Sequence, residues 1–433
     1  MKKLLIPATL FAGLQWLFFM FANTVVIPLT IGQAFHLPAT EVSVALQRSF
    51  VYTGAACVLQ AWVGHKHPLM EGQSGLWWGS ILSVCASAAT AGMNVNDLGG
   101  SLAVGIVVSG VLIAVLGAIG IGRALNRLFT PVVMSVVLFL LASQLITIFL
   151  KGMLGLTAGQ SIDIPVALLS FALAIFVVLL NIKGAGLLSN FSILIGICAG
   201  WLVYSLFFPL PKPDITASTG LIAFFPWGKP GWNVGVVLMA VLTGLVNTTN
   251  TVAAIRGAEP LLQKETTDWA YRRSFILTGI NSVVSGIFGL VPYAPYISSI
   301  GFLQTTRIFE RAPFILGGLL FAVMGLVPSL GTLFSTLPVS VGDAVLFVAY
   351  LQLFGGALGN LKGITFTSKT IYRIAVPVLT GLGIMNISPR MFDTVPMLIR
   401  PLVSNGLVMG ILIAVILEHL VVWERKGKVA LQE

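Results

Sequence analysis

Long apolar runs alternate with short polar connections from one end of the chain to the other. Twelve runs are long enough to cross about 30 Å of hydrocarbon, near residues 8–32, 43–63, 99–120, 129–150, 162–182, 186–208, 233–255, 274–291, 314–335, 339–360, 372–386 and 402–423. Two more segments, 68–92 and 293–310, are apolar but open on Pro and Gly, so they predict irregular or strand-like backbone rather than a clean helix. Together they make fourteen crossings, which puts both termini on one side. The pattern predicts an all-α polytopic membrane protein.

Charge decides the orientation. With the N-terminus inside, 18 of the 24 Lys and Arg lie in cytoplasmic connections and tails, five lie outside, and Arg48 falls within a run. That asymmetry places both termini in the cytoplasm and the protein in the cytoplasmic (inner) membrane. The first run follows Lys2 and Lys3 and continues to Ile31 without a small-residue cleavage site, so it reads as a membrane helix rather than a signal peptide.

Composition narrows the function classes. Of the 433 residues, 57% are hydrophobic and 9% charged, which excludes a soluble enzyme. The net charge of +10 belongs to membrane orientation, not to nucleic-acid binding. Cys57, Cys85 and Cys198 lie in apolar runs without CxxC spacing and read as small buried hydrophobes. His36, His65 and His67 fall in or beside connections, have no metal-ligand spacing, and are expected to be solvated. No Gly loop followed by Lys suggests an ATP-driven pump, and no set of His or acidic residues shares one depth as a membrane enzyme would need. Neither a cofactor nor a metal is implied.

Two fragments recur along the chain. Asn23-Thr24-Val25 returns as Asn250-Thr251-Val252, and Val137-Leu138-Phe139 with Gln144-Leu145 returns as Val345-Leu346-Phe347 with Gln352-Leu353. Both relate spans seven apart. An odd number of spans per repeat inverts the second copy, which predicts a 7+7 inverted repeat with a polar site near the midplane. The same shift pairs the two irregular segments, PLMEGQSGLWWG at 68–79 and PYAPYISSIG at 292–301. Non-helical backbone at that depth is tolerated where it is buried in protein or lines a cavity.

Few side chains in these segments can carry chemistry. Glu71 sits in the third segment beside Gly72, Gln73, Ser74 and Gly75; it reads either as a proton-carrying acid or as a partner of Lys66 or Arg48. Asp343 begins the twelfth span and reads as a helix N-terminal acid or a gating group, while Glu418 reads as interfacial. Thr243 and Asn247 share a helix face in the polar eighth span, as ligand hydrogen-bonders or as packing contacts. Tyr296 and Trp77 could stack on a planar ligand.

The order of these features resembles the nucleobase-cation symporter family, the nucleobase–ascorbate transporters, over essentially the whole chain. The opening span GLQWLFFMFANTVVIPLTIG is similar to that family's first segment, with Gln15-Trp16 where Gln-His is common. Ser298-Ser299-Ile300-Gly301 through Thr306-Arg307 keeps the spacing of its tenth-span signature. The resemblance implies a planar uracil- or xanthine-like substrate held between segments three and ten, with carboxylates from spans eight and ten. Here those positions are Thr243 and Ser298, followed by Asn247 and preceded by Tyr296, so both usual carboxylates are missing, and Glu71 is the candidate to replace them. The expected substrate-binding set is therefore Glu71, Gln73, Gly75, Trp77, Thr243, Asn247, Tyr296, Ser298 and Ser299, with Glu71, Asn247 and Asp343 as proton-coupling candidates. The resemblance also implies a core domain (1–127 and 233–335), a gate domain (128–210 and 336–423), a tail at 424–433, elevator or rocking motion, H⁺ or Na⁺ as coupling ion, and a homodimer. An uncoupled facilitator, or an anion carrier of the sulfate or bicarbonate type using Arg48, remains the alternative.

Overall fold

The computed structural model describes residues 7–90, 94–120, 128–156, 161–184, 187–210, 221–392, 394–396, 399–421 and 423. The expected tail at 424–433, and Lys2, Lys3, Arg123, Arg127 and Lys212 of the charge count, lie outside them.

Fourteen membrane segments follow in order. The first is α1 (Pro7–Thr24) with α2 (Val26–Ala34), the second α3 (Ala39–Trp62), and the third β1 (Glu71–Gln73) with α4 (Gly75–Thr90). Then come α5 (Val95–Ala118), α6 (Pro131–Met153), α7 (Ile164–Lys183) and α8 (Ser192–Phe207). The second repeat runs through α9 (Val234–Leu262), α10 (Asp268–Phe288), β2 (Tyr293–Pro295) with α11 (Ser298–Thr306), α12 (Arg311–Gly325) with α13 (Pro328–Ser335), α14 (Val339–Asn360), α15 (Ser368–Asn386) and α16 (Gly406–Leu420). Helix starts follow from polar caps: Thr130, Asp163, Asn233, Thr267 and Asn405 each accept from the backbone N–H three residues on.

The packing repeats under the seven-segment shift. α5 packs along α10 as α12 packs along α3; α1 meets α12 as α9 meets α5; α14 meets α7 as α6 meets α15. The pair α6 and α14 maps onto itself. Such self-consistent exchange is what an inverted repeat produces, and it places β1 and β2 together at the centre.

Several expectations change. The eleventh span is not one helix: α12 and α13 meet at 84°, because Pro328 cannot continue α12 and restarts the chain as the first residue of α13. The first span also breaks, at Val25. Asp343 lies in the second turn of α14, not its first, and is buried over Gly152 of α6, so the helix-end explanation does not apply. His65 and His67 are buried rather than solvated, with His67 Nε2 2.7 Å from Thr266 Oγ1. Cys198 is exposed on α8, while Cys57 and Cys85 are buried. Glu418 is no free interfacial acid: Arg373 donates to both its oxygens at 2.6 and 2.9 Å, and Thr130 at 2.8 Å.

Candidate functional site

The site starts from two three-residue strands. Pro292, Pro295 and Gly72 disfavour helix, and the freed backbone pairs antiparallel with Glu71 opposite Pro295, Gly72 opposite Ala294 and Gln73 opposite Tyr293. Ser74 N–H donates to Pro292 O and Tyr296 N–H to Met70 O, both at 2.8 Å, closing at its ends this two-strand ribbon, a hairpin in shape though its strands share no turn. Each strand leads into a half-helix, α4 or α11, whose first-turn N–H groups lack partners in their own helix. Gly75 at one start and Ser298 at the other line one cavity.

That cavity measures about 540 Å³ and lies between the hairpin and the helices α6, α7 and α14. Its polar lining includes Asn23, Ser74, Asn250, Tyr296, Ser298 and Gln352 from the strands and helices around them, with Asn181, Ser189, Ser192, Thr305 and Tyr350 adding to it, and the rest is largely aliphatic and aromatic. No Asp, Glu, Lys, Arg or His lines it among the described residues. It opens on the side where Gly301, Thr305 and Gln352 are exposed.

Asn247 on α9 holds the hairpin in place. Its Oδ1 accepts from Ser74 Oγ at 2.6 Å and from Asn250 Nδ2 at 3.1 Å, and its Nδ2 donates to Tyr293 O at 3.0 Å. The Tyr296 hydroxyl donates to Gln73 O, which fixes its ring at the cavity wall. Ser299 Oγ accepts from Met70 N–H at 3.0 Å and is fully buried.

The expected site residues therefore separate. Gly75, Tyr296 and Ser298 line the cavity, whereas Glu71, Gln73, Trp77, Thr243, Asn247 and Ser299 lie behind its wall. Strand alternation explains the two most important cases. Gly72 faces Tyr296, so Glu71 and Gln73 point to the opposite side, where Thr278 donates to Glu71 Oε1 at 2.8 Å and Gln73 Nε2 donates to Ser49 Oγ at 3.1 Å. Thr243 donates to Met239 Sδ at 3.3 Å within α9. Arg48 caps α10 through Phe288 O at 2.8 Å, pairs with Glu41 at 3.4 Å, and does not line the cavity. Asn23, Asn250 and Gln352 were not expected in the lining. Their signal was present all the same, since Asn23 and Asn250 are mates in one repeated fragment and Gln352 belongs to the other.

An inverted-repeat bundle with a half-buried, uncharged cavity at two opposed half-helices defines an integral membrane transporter. Comparison with known families agrees: residues 7–389 match the family Xan_ur_permease, described as a permease family, and the chain belongs to that family. The similar proteins include YwdJ of Bacillus subtilis (strain 168), whose name assigns it provisionally to purine transport. It is 29% identical over 427 residues, 96% of each chain. They also include the nucleobase transporter PlUacP of Paenibacillus larvae, at 24% identity over 96% of this chain and 94% of that one, and the uric acid permease PucJ of Bacillus subtilis (strain 168), at 25% over 94% and 90%. Among solved structures, the transmembrane domain of the cyanobacterial bicarbonate transporter BicA superposes with a TM-score of 0.62 at 15% identity, covering 94% of this chain and 97% of that one. The murine anion transporter Slc26a9 gives 0.61 at 14%, covering 95% and 68%. At these identities the structural likeness speaks to the fold alone.

Proposed function

We propose that the protein imports a nucleobase of the xanthine or uracil type across the cytoplasmic membrane by proton symport. The observation that carries this reading is the uncharged cavity. A cation beside the two half-helix starts would favour an anion, and among the described residues none lines this cavity. A neutral planar base instead presents alternating N–H and C=O groups. The half-helix N–H groups near Gly75 and Ser298 suit its carbonyls, while Asn250, Asn23 and the Ser298 hydroxyl suit either edge and Tyr296 suits its face. The names of the relatives support the same class.

In this reading α1 to α5 and α9 to α13 with the hairpin form a core that carries the base, moving against a gate of α6 to α8 and α14 to α16. A proton entering down a negative-inside potential gains about 2.3 kcal/mol per 100 mV, enough to concentrate a neutral base many-fold. Uptake of labelled xanthine and uracil into cells lacking their own nucleobase carriers tests the reading, at acidic and neutral outside pH with and without an uncoupler. The expected result is uncoupler-sensitive accumulation that rises at acidic pH. No accumulation of either base, with the protein confirmed in the membrane, would remove the substrate assignment, and accumulation indifferent to the uncoupler would remove the symport.

A further inference from the structure

Behind the hairpin, enclosed by β1, α3 and α10, lies a cluster of polar side chains that the cavity does not reach. Thr278 donates to Glu71 Oε1 at 2.8 Å, and Gln60 Nε2 lies 3.2 Å from both Thr278 Oγ1 and Ser274 O. Gln60 and Asn281 reach the same carboxyl, yet Glu71 Oε2, Gln60 Oε1 and Asn281 Nδ2 complete no hydrogen bond and are buried. Among the described residues, the side chains that reach the carboxyl, Thr278, Gln60 and Asn281, are uncharged. Of the elements packed on it, α3 presents the Cys57 thiol, 3.3 Å from Glu71 N and 3.4 Å from Glu71 O, and β2 presents Tyr293; α10 presents Ser274, Thr278 and Asn281, and α1 contains no titratable residue.

A buried carboxylate without a counter-charge is far costlier than its hydrogen bonds return. One proton on Oε2 removes the charge and leaves Oε1 to accept from Thr278. We infer that Glu71 is the proton-binding site of the transport cycle, in a chamber separate from the substrate cavity and joined to it through the hairpin. This inference rests on the proton-coupled reading above. The mechanical link is short: β1 carries Glu71 on its inner face, and two residues on, Gln73 O receives the Tyr296 hydroxyl at the cavity wall.

The test uses the full chain in proteoliposomes. In E71Q, pH-driven accumulation of the base should fall to simple equilibration while exchange of labelled for unlabelled base continues. Without any substrate, an infrared band of a protonated carboxyl should be present in the wild type and lost in E71Q. Thr278→Val, a milder change that deletes a donor to the carboxylate, should move the acid midpoint of accumulation to higher pH. Uncoupler-sensitive accumulation in E71Q equal to wild type, or accumulation in the wild type that follows a sodium gradient, would overturn the inference. If the wild type moves no nucleobase at all, the substrate reading fails on its own and the infrared band still decides the proton site.

The repeat also leaves two glutamines in opposite states. Gln144 and Gln352 are each the fourteenth residue of their helices, α6 and α14. Gln144 Nε2 donates to Gly79 O at 2.9 Å, and Gly79 packs directly on that side chain. Gly301 stands six residues beyond β2, as Gly79 stands six beyond β1, yet nothing approaches it and Gln352 is exposed across the open cavity. Because the repeat is inverted, the two contacts lie on opposite sides of the hairpin. The geometry points to a pair of alternating latches: closing the open side brings Gly301 O, which here accepts from Thr305 Oγ1 at 2.8 Å, onto Gln352 as the Gln144–Gly79 bond parts. Thr305→Cys in a Cys198→Ser background reports the opening through its labelling by a membrane-impermeant maleimide. Gln144→Ala should slow that labelling severalfold by releasing the closed latch, and adding Gln352→Ala should restore it. Labelling that Gln144→Ala leaves unchanged would refute the latch.

Discussion

The two faces of one six-residue hairpin differ as sharply as any two regions of this molecule. The face with Tyr296 meets an open space of about 540 Å³ whose lining is uncharged, while the face with Glu71 and Gln73 is fully enclosed and crowded with polar groups. One side can admit a ligand as large as a base; the other is closed to anything of that size. On the proposed reading, with the base in the cavity and the proton on Glu71, the strand's alternation keeps the two jobs apart. On that reading an uncharged binding site is compatible with a coupling ion held elsewhere, provided the backbone joining the two faces is stiff.

Charge on the wrong face is the most direct way to break this contrast. Ser298→Arg places a cation in the neutral cavity at an exposed position that has room for it. Filling the space the base needs and facing it with an unpartnered charge should lower uptake of xanthine and uracil at least about a hundredfold with membrane expression intact. Uptake within threefold of wild type would mean that the base binds elsewhere. Next in size is Asn247→Leu, which leaves Ser74 Oγ, Asn250 Nδ2 and Tyr293 O without partners. At about 1–3 kcal/mol for each buried group left unsatisfied, the hairpin should loosen from α9, with a clear drop in melting temperature and about a tenfold or larger fall in transport. Tyr296→Phe removes one hydrogen bond to Gln73 O and keeps the ring. It should raise the half-saturation concentration about fivefold, consistent with a bond worth about 1 kcal/mol, and leave the melting temperature nearly unchanged.

How much of this contrast can be read along the chain depends on range. The segments, the repeat and the two strand-bearing crossings follow from runs of apolar residues, recurring fragments, Pro and Gly, which act locally. Which way Glu71 faces is set by the pairing partner of β1, some 220 residues distant, so an irregular or strand-like reading of 68–79 without that partner left its facing open and put Glu71 among the substrate-binding residues. Asn23 and Asn250 show the opposite failure. Their repeated fragment marked them, but a repeat reveals symmetry before it reveals what lies on the axis. Burial of His65 and His67 was hidden because a short connection looks solvated until Thr266, from the other repeat, is seen to cover it.

Those histidines provide the finest test, since they could imitate a pH effect that belongs to the chamber. They lie between α3 and β1, outside the helices, where burial holds His65 down at about 3 and His67 at about 4. The His67 value is lowered further by Lys264 and Arg311 and supported by Glu259. An unfolded histidine titrates near 6.5. As pH falls from about 6.5 toward about 4, the unfolded chain takes up protons that folded His67 refuses, so the stability contributed by its neutral form is full above 6.5 and drains away across that window. His67→Gln should therefore flatten the loss of melting temperature between pH 6.5 and 4.5 by a few degrees. Both rings are already neutral in the fold above pH 5.5, so the same variant should leave the acid stimulation of uptake between pH 7.5 and 5.5 as it is in the wild type. A stimulation that disappears with His67 would move the pH response out of the chamber and into this connection, and the separation between the two faces of the hairpin would no longer explain it.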